Sequence, residues 1–166
     1  YQEAIELDNN CAFAYNNLGA EIEAGEKVTL RIGGQERTFT KKELYQEAIK
    51  LDNNYALAYN NLGNRLQSGE KVALRIGGQE RTFTNKELYQ EAIELDNNRA
   101  LAYNNLGHRL QAGEKVTLRI VGQESTFTKK ELYQKAIELD NNYALAYNNL
   151  GLELQAEEKV TLTIGG

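Results

Sequence analysis

The sequence predicts an α+β repeat solenoid, a stack of helix pairs alternating with β-hairpins, and three observations carry that prediction. YQEAIELDNN at residues 1–10 returns as YQEAIKLDNN at 45, YQEAIELDNN at 89 and YQKAIELDNN at 133, a period of 44 residues. Within each period, a stretch of apolar/polar alternation precedes two stretches with helical spacing. Neither a lone hairpin nor a lone helix pair can bury its apolar face, so each module must lean on the next. The modules run 1–44, 45–88, 89–132 and 133–166, the last incomplete and ending inside its hairpin, and together they are expected to form one continuous domain. Modules two and three differ at 8 of 44 positions, so one scaffold should serve throughout.

The strands come first. Val28, Leu30 and Ile32 alternate with Lys27, Thr29 and Arg31, which places the apolar set on one face of a strand. Gly33-Gly34 supplies a two-residue turn that needs positive φ, and Gln35 to Thr40 returns antiparallel. That turn sets Arg31 opposite Glu36, Thr29 opposite Thr38 and Val28 opposite Phe39, with a charge ladder expected along the Arg31, Arg75 and Arg119 series. The third copy has Val121-Gly122 instead; valine is poor at positive φ, so a different turn is expected there. The evenly spaced hairpins are expected to align into a continuous sheet.

Helices follow. Thr40 and Glu43 have the spacing of a capping box, repeated at Thr84 with Glu87 and Thr128 with Glu131. Leu44, Tyr45, Ala48, Ile49 and Leu51 make the apolar stripe of that first helix. It should stop at Asp52-Asn53-Asn54 through the tolerance of Asn for the left-handed conformation. A second helix from Tyr55 carries Ala58, Tyr59, Leu62, Gly63 and Leu66 and should stop at Gly69, and Gly63 should admit a neighbouring helix closely.

Composition bounds the function. The chain has 166 residues, 41% hydrophobic and 26% charged, and a formal charge of −5, which provides no field to gather nucleic acid or an anionic membrane. No apolar run approaches the roughly 18 residues of a membrane span. His108 is the only histidine, and neither HExxH nor CxxC occurs, so no metal, cofactor or catalytic site is expected. Cys11, the single cysteine, aligns with Tyr55, Arg99 and Tyr143 and reads as a spectator thiol. The glycine pairs lie between strands rather than before a helix, outside the phosphate-cradling contexts, and the Asp-Asn-Asn triplets lack the alternating oxygens of a calcium loop.

Ala58-Tyr59-Asn60-Asn61-Leu62-Gly63, with Tyr45-Gln46-Glu47-Ala48-Ile49-Lys50-Leu51-Asp52-Asn53-Asn54, resembles the tetratricopeptide repeat. The match covers roughly 24 of each 44 residues and returns in all four copies as Tyr15/Leu18/Gly19, Tyr59/Leu62/Gly63, Tyr103/Leu106/Gly107 and Tyr147/Leu150/Gly151. Two features depart from the family: its proline is Asn9, Asn53, Asn97 and Asn141 here, and a β-hairpin replaces the short turn between its two helices. The resemblance implies a non-enzymatic scaffold that binds proteins or peptides, with Leu57, Asn60 and Asn64 at groove positions. The row Asn16, Asn60, Asn104 and Asn148 offers amide groups to an extended backbone. Ala20, Asn64, His108 and Leu152 at one position, and Glu21, Arg65, Arg109 and Glu153 at the next, vary between copies on the outward side of the same helix; drift at exposed positions is the competing reading. Exchanging Asn60, Asn64, Asn104 and His108 for Ala is expected to weaken partner binding without unfolding.

No polar capping module is visible at either end. Tyr1 and Ile5 on the first helix, and Leu162 and Ile164 on the last strand, are therefore expected to favour a homo-oligomer or head-to-tail polymer, further chain beyond these ends being the competing reading. The alternative to a ligand-binding scaffold is a structural building block of a ring or filament with no separate ligand.

Overall fold

The structure, a computed structural model, describes residues 1–154 and 158–162. It is a mixed α+β chain in which helix pairs alternate with antiparallel two-stranded hairpins in repeated units of about 44 residues. Two compact units divide it, Tyr1–Leu88 and Tyr89–Gly166, with the division at the start of the third period.

The first unit holds α1 (Gln2–Leu7), α2 (Ala12–Glu21), β1 (Lys27–Ile32), β2 (Gln35–Thr40), α3 (Lys41–Leu51), α4 (Ala56–Gly63), β3 (Lys71–Ile76), β4 (Gln79–Thr84) and the start of α5 (Asn85–Leu95). The α2 helix packs along α3, and α1 and α3 lie against β1 and β3 respectively. The second holds the rest of α5, α6 (Ala100–Arg109), β5 (Lys115–Ile120), β6 (Gln123–Thr128), α7 (Lys129–Leu139) and α8 (Ala144–Glu153), with α6 packed along α7.

Local chemistry sets these boundaries. The Thr40 hydroxyl accepts from the Glu43 amide while the Glu43 carboxylate accepts from Thr40 N–H at 2.7 Å, so both members of the capping box are made. Thr84 with Glu87 and Thr128 with Glu131 repeat it. Each hairpin has the register that a two-residue turn dictates, Val28 opposite Phe39, Val72 opposite Phe83 and Val116 opposite Phe127. Tyr15, Tyr59 and Tyr103 meet Phe39, Phe83 and Phe127 edge-on at 6.0, 6.4 and 6.3 Å, joining each second helix to the hairpin that follows it. The interior is aliphatic and tyrosine-rich: Leu44, Ala48, Ile49 and Leu62 are wholly buried, and truncating Leu62 to Ala costs about 2–5 kcal/mol.

Several expectations are corrected. The first helix stops without left-handed asparagine: Asp52 is extended at φ −135, and its carboxylate accepts from the Asn54 amide at 3.0 Å, an Asx turn that recurs after α1, α5 and α7. The α4 helix ends at Gly63 instead of running to Gly69, because the chain tightens into i→i−3 bonds at Arg65 and Leu66 that still bury Leu66. Val121 does not change its turn; it adopts φ +50 with its side chain fully in solvent, the register of its hairpin overriding the local preference. The three hairpins are separate two-stranded sheets, with no continuous sheet among the described residues. Arg31, Arg75 and Arg119 stand opposite Glu36, Glu80 and Glu124, yet no ion pair joins them among the described residues.

Candidate functional site

Three repeated surfaces compete for the role: the asparagine row of the second helices, the seat between helices at the Leu-Gly positions, and a cleft beside each hairpin.

The asparagine row lies inside. Asn16, Asn60 and Asn104 are 1%, 1% and 2% exposed, whereas Asn148 is exposed. Asn61 donates its amide to Asn16 Oδ1 at 3.0 Å, and Asn149 donates to Asn104 Oδ1 at 2.9 Å. Asn16 and Asn104 are thus spent on binding the next second helix, α4 to α2 and α8 to α6. Asn104→Ala would remove the acceptor of the part-buried Asn149 amide, so that exchange is expected to weaken the packing of α8 on α6 as well. Leu57 is half-buried, Asn64, Arg65 and His108 are exposed and Arg109 is half-buried, so the structure keeps these positions outside the core.

The seat is a glycine facing a tyrosine. A Cβ on Gly19 would stand 2.8 Å from Cε1 of Tyr45, and one on Gly107 would stand 2.9 Å from Cε1 of Tyr133. Both rings are buried, and burial pushes the Tyr45 hydroxyl up from its ordinary value and the Tyr133 hydroxyl up to about 12. At Gly151 on α8 no described atom lies within 4 Å of that position, and Tyr1, which aligns with Tyr45 and Tyr133, is 47% exposed. Ile5, expected as an association residue, is instead wholly buried, on a helix packed against α2 and β1. Leu162 is half-buried, and Ile164 lies outside the described residues. Exposed apolar side chains that sequence reasoning missed include Leu7 and Phe13 in the first unit, Phe13 against Tyr1, and Leu152 in the second.

The cleft lies between a hairpin and the helix that follows it. In the first unit it encloses about 320 Å³ among Arg37 and Phe39 of β2, Gln46 and Lys50 of α3, and Ala73 and Arg75 of β3. A cleft of about 600 Å³ occupies the corresponding place between β6 and α7, where Ser125 replaces Arg37 and Glu138 replaces Lys50. The Arg37 guanidinium lies 5.0 Å from the centre of the Phe39 ring, and Lys50 pairs with Glu47.

The strand edges beside this cleft differ between copies. Residues 29 and 31 of the first strand, and their equivalents, point backbone groups away from the hairpin partner. At β1 the Arg31 N–H donates to Glu6 Oε1 at 3.1 Å. At β5 the Arg119 N–H donates to Glu94 Oε1 at 3.0 Å, and Gln90 donates to the Thr117 carbonyl at 3.4 Å. The position of Glu6 and Glu94 is Lys50 in the second copy, which has no acceptor to offer, and among the described residues no side chain caps Arg75 N–H or the Ala73 carbonyl.

Among the described residues no group of three His, Cys, Asp or Glu side chains is placed to hold a metal ion, and no helix is long and apolar enough to cross a membrane. In comparisons with known proteins, no family model and no curated protein matches the chain.

Proposed function

We propose that this chain is a non-enzymatic, tetratricopeptide-like interaction scaffold whose modules stack into a solenoid, and that it associates head to tail with further copies of itself. The observation that carries the reading is the glycine–tyrosine seat. Gly19 receives Tyr45 and Gly107 receives Tyr133 through the same residues, so one contact geometry already recurs within the chain. Surfaces that already fit each other within the chain need no new complementarity to fit between chains. Tyrosine brings a large apolar area at little entropic cost, which suits it to such a contact.

Sedimentation velocity across a concentration series tests the reading. The wild-type chain is expected to grow with concentration, and Gly151→Leu, which places a side chain where the Gly19 and Gly107 contacts have none, is expected to remain monomeric with an unchanged circular dichroism spectrum. A wild-type chain that stays monomeric throughout contradicts self-association. The second reading, a structural block with no separate ligand, is favoured by the same repeated contact; electron micrographs of regular rings or filaments would support it.

A further inference from the structure

We propose that the cleft between β6 and α7 binds an arginine side chain of a partner peptide, seated over the Phe127 ring. The proposal rests on the scaffold reading and names a partner chemistry for it. The third hairpin differs from the first at two positions, Val121 for Gly33 and Ser125 for Arg37, and both new residues line this cleft. In the first two hairpins the arginine covers a ring of its own strand: Arg37 lies 5.0 Å from the centre of Phe39, and Arg81 lies 4.8 Å from that of Phe83. Those rings are 4% and 2% exposed. Ser125 is too short and uncharged to play that part. No cation lies over Phe127 among the described residues, and its ring is only half-buried. The third hairpin thus keeps the ring and lacks the guanidinium that its copies supply from within.

The rest of the lining fits a cation on an alkyl stem. The cleft beside β2 sets Arg37, Lys50 and Arg75 against Glu43 and Glu47, whereas this one sets Lys135 alone against Glu131 and Glu138. The balance of charge is reversed, from net positive to net negative. Lys135 is taken up by Glu138 at 3.3 Å, so the one cation of the lining does not bar another. Ile120 and Val121 give the stem apolar surface to lie along while its head meets the ring. Val121 holds a left-handed φ of +50 with its side chain 86% exposed, a strained placement of the kind that marks contact positions. A planar guanidinium stacks on a ring face better than an ammonium does, which selects arginine over lysine.

The test uses the full chain and a blocked valine–arginine–valine peptide, with binding followed by NMR at the Phe127 ring and Val121 methyl protons. Weak, saturable shifts are expected, and the same peptide with citrulline for arginine is expected to bind about fivefold more weakly, the worth of one cation–π contact. Ser125→Arg restores the residue of the first two hairpins, so it folds as they do, and its tethered guanidinium is expected to abolish binding. Phe127→Leu keeps an apolar side chain without a ring face and is expected to bind the two peptides equally. Absence of binding to the wild type, equal affinity of the citrulline peptide for it, undiminished binding to Ser125→Arg, or a preference for arginine that survives Phe127→Leu would overturn the proposal. Sedimentation of the same samples separates the two ideas: a chain that associates but ignores the peptide loses this site and keeps the scaffold reading.

Discussion

A Cβ on Gly19 would stand 2.8 Å from Cε1 of Tyr45, so α2 and α3 reach their packing distance only because residue 19 has no side chain. The ring cannot retreat easily, being 4% exposed and boxed in by its neighbours. Alanine in place of a helical glycine gains about 1 kcal/mol in propensity, but overpacking of this kind costs about 1–3 kcal/mol. Gly19→Ala and Gly107→Ala are therefore expected to lower stability by about 1 kcal/mol each. Gly151→Ala, with open space around it, is expected to raise stability by about 1 kcal/mol. Urea midpoints of the three variants check the reversal of sign.

Val121 holds φ +50 with a β-branched side chain that gains nothing from burial. The left-handed region costs a non-glycine residue about 1–2 kcal/mol, more than the roughly 0.5–1 kcal/mol that glycine loses through its freer unfolded chain. Val121→Gly is expected to raise the thermal midpoint, a gain of about 1 kcal/mol, and Gly33→Val is expected to lower it by a similar amount. A neutral Val121→Gly would mean that the hairpin does not hold this turn.

The capping boxes set the acid response. Backbone and hydroxyl hydrogen bonds from Thr40, Thr84 and Thr128 hold the carboxyls of Glu43, Glu87 and Glu131 below their ordinary value of 4.5. A carboxyl depressed in the folded state contributes stability in full above its unfolded value, and that stability drains away as pH falls through the folded one. Stability should thus fall as pH drops below about 4.5. Replacing the three threonines with alanine is expected to cost about 1 kcal/mol per cap at neutral pH and to flatten the decline in acid. Urea titrations of both proteins over that range provide the check.

Tyrosine sets the alkaline limit. Burial pushes the hydroxyls of Tyr103 and Tyr133 up to about 12 from an ordinary 10.0. The folded state favours the neutral phenol, so stability is intact below 10.0 and lost as pH rises from there towards about 12. Near-ultraviolet absorbance should show these phenolates appearing together with unfolding. Tyr103 Oη has no hydrogen-bond partner among the described residues, so Tyr103→Phe is expected to be neutral or stabilising. Tyr59 Oη donates to the Asn53 carbonyl at 3.0 Å, so Tyr59→Phe is expected to cost about 1 kcal/mol.

What the sequence made legible is what acts over a few residues. Alternation and a two-residue turn determine the Val28–Phe39 register, and a three-residue spacing determines the Thr40–Glu43 box, so both are readable without a fold. The interior of the Asn16 row was not readable, because an amide looks the same on a helix whether water or Asn61 faces it. The strand-edge caps are further from view still: Glu6 and Arg31 stand 25 positions apart, and only the packing of α1 on β1 reveals why Glu at that position matters and why Lys50 differs. Val121 reverses a correct local preference, since a turn closed by six paired positions on each side outweighs the strain of one residue.

The central physical claim is that a module is stable only through its neighbours, and the most direct measurement is thermal unfolding of residues 45–88 alone in dilute solution, followed by circular dichroism. Tyr45 would then lack Gly19, and α3 would lack α2, the packing that buries its apolar stripe. The account predicts a weak spectrum with no cooperative transition. A sharp, reversible melt from that fragment would contradict it.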